Sequence, residues 1–251
     1  MKIAFSFDDG RADALDASKI LNSYGLVASF HVVTGFIDGT FISDEFGYNR
    51  KPLSFSDLNE MKMLGMRISS HGDKHLMDID DFRNSYRKLK DANLIDDKCG
   101  FSIPFSQYNE NQLKEFVNNN EDTLSYVRVG RNSKCYTIFS KINYVLYHIF
   151  KNQLPYNLFN KYNLMDNIDR YHLYSLVIKK DCKAKNINKF IKKYANKDAS
   201  LIIMFHSIVD NPKDTWEYST EEFKSVCQNV VELRNRKSVE TLTIEELINE
   251  Q

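Results

Sequence analysis

Two adjacent carboxylates, Asp8 and Asp9, follow an apolar stretch in "IAFSFDDG" and directly precede a glycine. Neighbouring anions repel each other, so a protein that keeps them together must offset the repulsion, and a bound cation is the simplest means. The pair also allows a division of labour in which one carboxylate binds the cation and the other takes a proton from an attacking water. The sequence therefore points to metal-assisted hydrolysis.

Two histidines four residues apart, His71 and His75 in "HGDKH", provide nitrogen ligands for such a cation. Residues at this spacing can share one face of a helical turn. One carboxylate and two imidazoles form a three-ligand set that leaves a coordination position open. Because Gly72 follows the first histidine, the motif differs from the HExxH of zincin proteases, and the general base must come from elsewhere.

The elements that must position these groups alternate along the chain. We predict helices at 11–24, 54–65 (with Ser56 as its N-cap), 78–93, 109–120, 186–195 and 219–235 and in a last turn after 243. The predicted strands are 3–7, 27–33, 66–71, 99–105, 124–130, 173–179, 200–208 and 239–243. This alternation predicts a parallel α/β sheet, either doubly wound or closed into a barrel.

The carboxyl ends of parallel strands are where α/β proteins carry their sites, and the polar residues follow the predicted strands at those ends. His206 ends a late strand and is a candidate proton donor to a leaving group. The backbone N–H near Phe105 is a candidate oxyanion donor. His31 lies in the middle of its strand, and we interpret it as structural. The reaction that this set predicts is hydrolysis of an acyl group.

Each motif alone has a structural interpretation. An Asp-Asp-Gly sequence often forms a turn, a pair of histidines can lie on the surface or cap a helix, and His206 can be a hydrogen-bonded residue at the barrel rim. Their joint occurrence at three strand ends favours a catalytic site.

The composition of the 251 residues excludes several classes of protein. Hydrophobic residues make up 42% of the chain, and 34 basic residues balance 34 acidic ones. This balance disfavours nucleic-acid binding. No apolar run is long enough for a membrane span, and the N-terminus does not resemble a signal peptide. We therefore expect a cytoplasmic protein, with no prediction of its oligomeric state.

The four cysteines, Cys99, Cys135, Cys182 and Cys227, are far apart and form no CxxC motif. Their spacing argues against a thiolate zinc site and favours free thiols in a reducing compartment. One stretch interrupts the alternation, a polar and aromatic insertion at about 132–172 that we predict to be a cap with a helix near 138–151. Packing of this helix on the barrel and an aromatic face for a sugar or a protein partner both stay open.

These residues resemble the motifs of the polysaccharide deacetylases, the NodB-homology domain of carbohydrate esterase family four. "FSFDDG" is similar to the first motif, TFDDG, and "HGDKH" to the second, His-Ser/Thr-x-x-His. "GFSIPFSQYN" is similar to the third motif in its FAYPYGxYN form, and "LIIMFHSI" to the strand that carries a late histidine. The resemblance covers most of the chain outside 132–172 and implies a single domain over 1–251.

The resemblance implies a distorted (β/α)7 barrel and a metal-dependent removal of acetyl groups from an N-acetylated sugar or saccharide precursor. It also implies roles for residues of this chain: Asp8 as catalytic base, Asp9, His71 and His75 as ligands of a divalent metal, usually zinc, the Phe105 backbone amide as oxyanion donor, and His206 as general acid.

The chain departs from the family pattern at four points, one of which is Ser106 in place of the glycine of the third motif. Gly72 replaces a hydroxyl residue of the second motif, and Ser102 stands where many members have the arginine that orients the base. Arg128 or Arg131, at the end of the next strand, is a candidate replacement for that arginine. No tryptophan-containing fourth motif is present, and Asp181 is a candidate acidic partner of His206.

Two further functions stay open beside the deacetylase. One is a catalytically silent carbohydrate-binding or scaffold protein that retains the metal-site residues, and the other is an amidase that acts on a small non-sugar amide.

Overall fold

The computed structural model of the protein describes residues 1–42, 51–130 and 161–250. Its strands in this part of the chain are β1 (Lys2–Phe7), β2 (Ala28–Val32), β3 (Arg67–Ser70), β4 (Cys99–Ser102), β5 (Leu124–Gly130), β6 (Leu173–Tyr174), β7 (Leu176–Val177), β8 (Ser200–Phe205), β9 (Ser207–Val209), β10 (Glu217–Ser219) and β11 (Glu240–Leu242). Its α-helices there are α1 (Asp13–Ser23), α2 (Thr34–Ile37), α3 (Phe55–Met63), α4 (Ile79–Asp91), α5 (Glu110–Asn120), α6 (Ala184–Tyr194), α7 (Thr220–Asn235) and α8 (Ile244–Asn249).

Nine of the described strands form one parallel sheet in the order β6-β5-β4-β3-β2-β1-β8-β7, in which β11 pairs with the first half of β1. The strands β9 and β10 pair separately with each other. Only Ser175 separates β6 from β7, so one short segment pairs with β5 along one edge and with β8 along the other. This segment closes the sheet into a distorted α/β barrel, which has seven strand positions when β6 and β7 are counted as one. The structure confirms the predicted fold class and decides between the two arrangements that the alternation left open.

Aromatic side chains fill the space between the barrel and its helices. Phe223 of α7 packs edge-on against Phe5, Phe7 and Phe205, with ring centroids 5.1–6.3 Å apart. These three rings alternate along their strands with residues of the opposite face, as strand geometry requires. The parallel strands therefore direct their large apolar side chains outward, toward the helices.

The barrel interior is polar toward the carboxyl ends of the strands, unlike the branched aliphatic interior that is usual for closed parallel barrels. An apolar cluster that includes Ala4, Ile202 and Leu242 lies nearer the amino ends. Buried residues of this interior, linked to one another by hydrogen bonds, are Ser6, His31, Ser69, Ser102, Tyr126 and Arg128. Buried polar groups are tolerated when they are hydrogen-bonded. The barrel thus carries a hydrogen-bonded network where most barrels carry a hydrocarbon core.

Several predicted boundaries are wrong in ways that concern the site. The helix predicted at 54–65 has Ser54, not Ser56, as its N-cap, because Ser54 forms a capping box with Asp57. The strand predicted at 99–105 ends at Ser102, and a 3₁₀ turn, Pro104–Ser106, follows it. The late strand predicted at 200–208 is interrupted at His206. The strands that precede Phe105 and His206 thus each end shortly before a candidate site residue.

The predicted insertion lies mostly outside the described residues. This applies to 131–160, and so to the helix predicted near 138–151, to Arg131 and to Cys135. Residues 161–172 are described and contain a 3₁₀ turn, Lys161–Asn163. In the ranges that the structure covers, no helix has the length and apolarity needed to cross a bilayer. Three cysteines are buried free thiols, as predicted: Cys99, Cys182 and Cys227.

We expect Phe223→Ala to lower the free energy of unfolding by about 3–5 kcal/mol, because truncation leaves a cavity among three aromatic rings. Chemical denaturation measures the loss. Met63→Ala is the matched control, since Met63 is 82% exposed and its truncation changes the stability by less than about 0.5 kcal/mol. Equal effects of the two substitutions would contradict the packing described for α7.

Candidate functional site

The paired carboxylates leave β1 in a left-handed turn. Asp9 has φ 79° and Gly10 has φ 84°, and the backbone N–H of Asp8 still donates to Phe205 O of the neighbouring strand. Aspartate tolerates the left-handed region better than most residues, and glycine occupies it without a steric penalty. The turn directs both carboxyl groups to the barrel rim, where both are buried.

Arg128 of β5 binds the Asp8 carboxylate. Its Nη2 donates to both oxygens of Asp8 and to Ser102 Oγ, and its Nη1 donates to Ser175 Oγ at 3.1 Å. Ser102 Oγ in turn donates to Asp8 Oδ2 at 3.3 Å. Burial opposes ionisation of Asp8, but the Arg128 guanidinium and the nearby imidazoles outweigh it and hold the pKa of Asp8 well below its usual range.

Arg128 and Ser102 face each other across β4 and β5. The arginine that contacts the predicted base therefore comes from β5. In the family pattern, the corresponding arginine stands at the position of Ser102, on β4. The small side chain of Ser102 leaves room for the Arg128 guanidinium. Ser102 Oγ also accepts a hydrogen bond from that guanidinium.

Arg11 binds the second carboxylate. Its Nη2 lies 2.8 Å from Asp9 Oδ2, and its Nη1 donates to Ser207 Oγ at 3.2 Å. The protein therefore provides one buried guanidinium for each carboxylate, which corrects the interpretation that a metal alone offsets their repulsion. Sequence reasoning missed Arg11, although its position two residues after Asp9 was a usable signal.

The two histidines present Nε2 to the same space. His71 Nδ1 lies 2.8 Å from Ser102 O, a carbonyl that can only accept, so Nδ1 carries the proton and Nε2 carries a lone pair. This Nε2 lies 3.1 Å from His75 Nε2 and 3.8 Å from Asp9 Oδ1. Burial and the neighbouring His71 lower the pKa of His75 to about 3, which favours the neutral imidazole that binds metals.

Asp9, His71 and His75 form a set that fits a small divalent cation. Their candidate ligand atoms all lie within 4.8 Å of one another. Two ligands of a tetrahedral zinc ion, at about 2.0–2.1 Å from it, are roughly 3.3–3.4 Å apart. The His71–Ser102 hydrogen bond is the outer interaction that orients a metal-binding imidazole. The donor set, its spacing and its tautomer therefore suit zinc or a similar ion.

Asp81 of α4 organises the loop that carries both histidines. Its carboxylate accepts hydrogen bonds from the backbone N–H groups of Asp73, Lys74 and Leu76 at 2.8–3.1 Å. Burial raises the pKa of Asp81, and these amide donors oppose the shift. Gly72 has φ 87°, and a Cβ there would lie 2.3 Å from Asp81 Oδ2. The carboxylate thus occupies the space that a hydroxyl residue at position 72 would need.

Phe105 lies beside the histidines in a strained backbone conformation. Its φ is 57°, in the left-handed region, and its ring packs 4.4 Å from that of His75. The side chain is 54% exposed, so the residue forms part of the open rim. The structure therefore places the Phe105 ring beside a member of the candidate ligand set, and the role of its backbone N–H as oxyanion donor stays a prediction.

His206 lies on the opposite side of the same rim. Burial lowers its pKa, while the carboxylates of Asp9 and Asp8 oppose that shift. Its ring packs 4.4 Å from that of Trp216, over which Lys179 Nζ lies at 4.3 Å. Nothing in the sequence marked Trp216 as a neighbour of the site, because it lies ten residues beyond His206 in a separate loop.

The buried His206 Nδ1 has no hydrogen-bond partner among the described residues. Asp181 lies half-buried in the turn between β7 and α6, and its pairing with His206 stays a prediction. The structure brings together seven of the predicted site residues. The seven are Asp8, Asp9, His71, His75, Phe105, Arg128 and His206. Arg131 lies outside the described residues.

Searches with the sequence find no matching family model and no matching curated protein. Solved structures match over nearly the whole chain. A family 4 carbohydrate esterase from Streptomyces lividans, in complex with acetate, has 11% identity and a TM-score of 0.52, with 96% of this chain and 91% of that chain covered. This chain has the fold of the family 4 carbohydrate esterases.

Two further members of this fold differ in activity. A peptidoglycan N-acetylglucosamine deacetylase has 13% identity and a TM-score of 0.52, with 98% of this chain and 86% of that chain covered. A family 4 carbohydrate esterase pseudoenzyme from Bacillus anthracis has 7% identity and a TM-score of 0.52, with 98% of this chain and 64% of that chain covered. The esterase fold therefore occurs with and without catalysis, and the side chains of the site must decide between them.

We expect Arg128→Met to lower the free energy of unfolding by about 3–5 kcal/mol at pH 7, because it leaves the Asp8 charge buried and unpaired. The loss becomes smaller at pH 5: without the guanidinium, burial raises the pKa of Asp8 in the folded state, so the folded state binds the additional proton. Urea denaturation at both pH values measures this.

The control for this prediction is Arg87→Met, an exposed arginine of α4, for which we expect a change below about 0.5 kcal/mol. Adding Asp8→Asn to Arg128→Met removes the stranded charge and recovers part of the stability. A double variant no more stable than Arg128→Met would contradict the ion pair.

We expect Asp81→Ala to weaken zinc binding by about 10–100-fold, because the loop that carries His71 and His75 loses the acceptor of its amide groups. Competition with a chromophoric chelator gives the affinity. Asp80→Ala removes an exposed carboxylate from the same helical turn and is the control that keeps zinc binding intact. Equal zinc affinities of the two variants would exclude a role for Asp81 in positioning the loop.

Proposed function

We propose that the protein is a metal-dependent hydrolase that removes acetyl groups from an N-acetylated sugar or saccharide precursor. The observation that carries this proposal is the position of Asp8. A carboxylate clamped by Arg128 lies directly beside a three-ligand set, with His71 Nε2 3.9 Å from Asp8 Oδ2. A base next to a cation site is the arrangement that metal-assisted hydrolysis needs.

Asp9, His71 and His75 would hold the cation, which we expect to be zinc. When bound, it supplies a Lewis acid that polarises the amide carbonyl and acidifies water. Asp8 takes the proton of the attacking water. The Arg128 guanidinium keeps the Asp8 carboxylate ionised and fixes its orientation, so that the base is ready at neutral pH.

The remaining residues act on the charge and the proton of the reaction. The Phe105 backbone N–H donates to the carbonyl oxygen as negative charge develops on it. His206, across the rim from Asp8, gives a proton to the leaving amine nitrogen. The C–N bond then breaks and acetate and a free amine leave. In this scheme Trp216 packs against His206 and limits the rotation of its imidazole.

The choice of an acetylated saccharide as substrate rests on the solved structures that share the fold. One of them contains acetate and another is a deacetylase of peptidoglycan N-acetylglucosamine. The second candidate function is a catalytically silent binding protein, which the pseudoenzyme of the same fold favours. The Arg128–Asp8 clamp supports the hydrolase, since a silent protein has no need of an oriented base. An amidase on a small non-sugar amide would use the same residues.

We expect the zinc-loaded protein to release acetate from at least one N-acetylated sugar or oligosaccharide. Chelation should abolish the release, and Asp8→Asn should lower it by about 10²–10⁴-fold, because the general base is lost. An enzyme-coupled acetate assay measures both. His172→Ala, which removes a histidine outside the site, is the control that keeps activity.

The outcomes separate the candidate functions. Zinc binding without acetate release from any sugar or amide would favour the silent binding protein. Release from small amides alone would favour the amidase. Release that survives chelation would overturn the metal dependence.

A further inference from the structure

A chain of polar side chains, buried except for the half-buried Glu245, runs through the barrel interior and ends at the predicted base. It consists of Glu245 of α8, Tyr126 of β5, His31 of β2 and Asp8, and we refer to it as the polar column. Its first member lies at the amino end of the barrel, and its last at the carboxyl rim. The mechanism proposed above uses only Asp8, so the other three residues need an explanation.

The lower part of the polar column is anchored to the sheet. Glu245 accepts hydrogen bonds from Ser29 Oγ at 2.7 Å and from Ser69 Oγ at 2.9 Å. Ser29 Oγ also accepts from the backbone N–H of Ile244 at 2.9 Å. Because the single proton of each serine hydroxyl goes to the carboxylate, neither serine donates to Tyr126.

The barrel is shaped to hold the Tyr126 ring. A Cβ at Gly100, on the neighbouring strand, would lie 2.1 Å from Tyr126 Cζ and 2.5 Å from its hydroxyl oxygen. The hydroxyl oxygen lies 2.9 Å from His31 Nε2, 3.2 Å from Ser69 Oγ and 3.3 Å from Glu245 Oε1. The contact with His31 is the shortest of the three.

The surroundings of His31 decide which ring nitrogen carries its proton. Burial, with the Arg128 cation nearby, lowers the pKa of His31 to about 3, so the ring is neutral and carries one N–H. Its Nδ1 lies 3.3 Å from Ser6 Oγ, 3.4 Å from Phe7 O and 3.6 Å from Asp8 Oδ1. Ser6 Oγ can accept a hydrogen bond from Nδ1, and Phe7 O and the ionised Asp8 can only accept. A lone pair on Nδ1 would be repelled by the oxygens of Phe7 and Asp8, whereas a proton on Nδ1 is attracted by them. The Nδ1–H tautomer is therefore favoured.

We propose that Tyr126 donates to His31 Nε2 and thereby holds His31 as the Nδ1–H tautomer, whose N–H faces the Asp8 carboxylate. His31 and Tyr126 are then positioning residues for the base. Arg128 binds Asp8 from one side, and His31 Nδ1 lies 3.6 Å from Asp8 Oδ1 on another side. This inference rests on the proposed function for its catalytic consequence, but the tautomer itself does not. It replaces the interpretation of His31 as merely structural.

The tautomer is tested on the full-length protein labelled with ¹⁵N, by correlation spectra of the histidine rings. His31→Asn identifies the His31 signals by their loss. We expect a protonated, pyrrole-type Nδ1 and a pyridine-type Nε2 at His31. We also expect Tyr126→Phe to move the Nε2 shift toward that of an imidazole nitrogen without a donor, and the control Tyr24→Phe to leave it unchanged. A protonated Nε2 in the wild type would overturn the proposal.

The catalytic consequence is tested by two substitutions at one position. We expect His31→Leu to lower kcat about tenfold, because the base loses the polar N–H that faces it, with KM changed by less than about twofold. Asn places its amide nitrogen near the position of Nδ1, so His31→Asn should keep most of kcat. Urea denaturation checks that both variants are folded.

Equal losses of kcat in His31→Leu and His31→Asn would overturn the positioning role, because a packing defect does not depend on a donor. If the wild type releases no acetate from any substrate, the proposed function fails. The ¹⁵N spectra then decide the proposal by themselves.

Discussion

Two buried carboxylates at consecutive positions are the constraint on which the site depends. Asp8 and Asp9 lie at the rim of a closed barrel, where water screens their repulsion poorly. A separate guanidinium offsets the charge of each carboxylate: Arg128 binds Asp8, and Arg11 binds Asp9. Each arginine comes from a different part of the fold. The electrostatic balance therefore requires the complete barrel and cannot form in an isolated segment.

This balance also separates the chemical roles of the two carboxylates. Asp9 keeps one oxygen on Arg11 and directs the other toward the histidines. Asp8 has both oxygens on Arg128, and its orientation is set by groups in the barrel interior. The two aspartates have different surroundings because Asp8 follows directly on the end of β1, whereas Asp9 adopts a left-handed conformation.

The polar interior of the barrel follows from the same requirement. A hydrocarbon core could not hold an ionised Asp8, since a buried charge needs partners with good geometry. The chain provides serines at interior positions, a glycine at position 100 and a tyrosine that fills the space it leaves. Because the esterase fold also occurs in a pseudoenzyme, the fold alone does not decide whether a chain is catalytic, and the polar interior and the rim above it hold the residues that would.

The alternation of strands with helices predicted a parallel α/β sheet, and the residues that end the strands predicted a candidate ligand set and a candidate base. These signals are local: a strand period, a carboxylate pair and a histidine spacing can be read without knowing which strands are neighbours. Arg11 and Asp81 lie within two and six residues of a predicted ligand, but their partners became evident only when the loops were in place. The pairing of Arg128 with Asp8 could be named only as one of two candidates.

What the sequence by itself determined is the class of fold and the identity of the groups available for chemistry, because residue type and period are properties of short segments. Only the tertiary structure decided that Arg128 binds Asp8, that Arg11 binds Asp9, and that His31 lies beside Asp8. Those contacts join residues up to 120 positions apart. They depend on strand register and on closure of the barrel by one short segment, which no local pattern encodes.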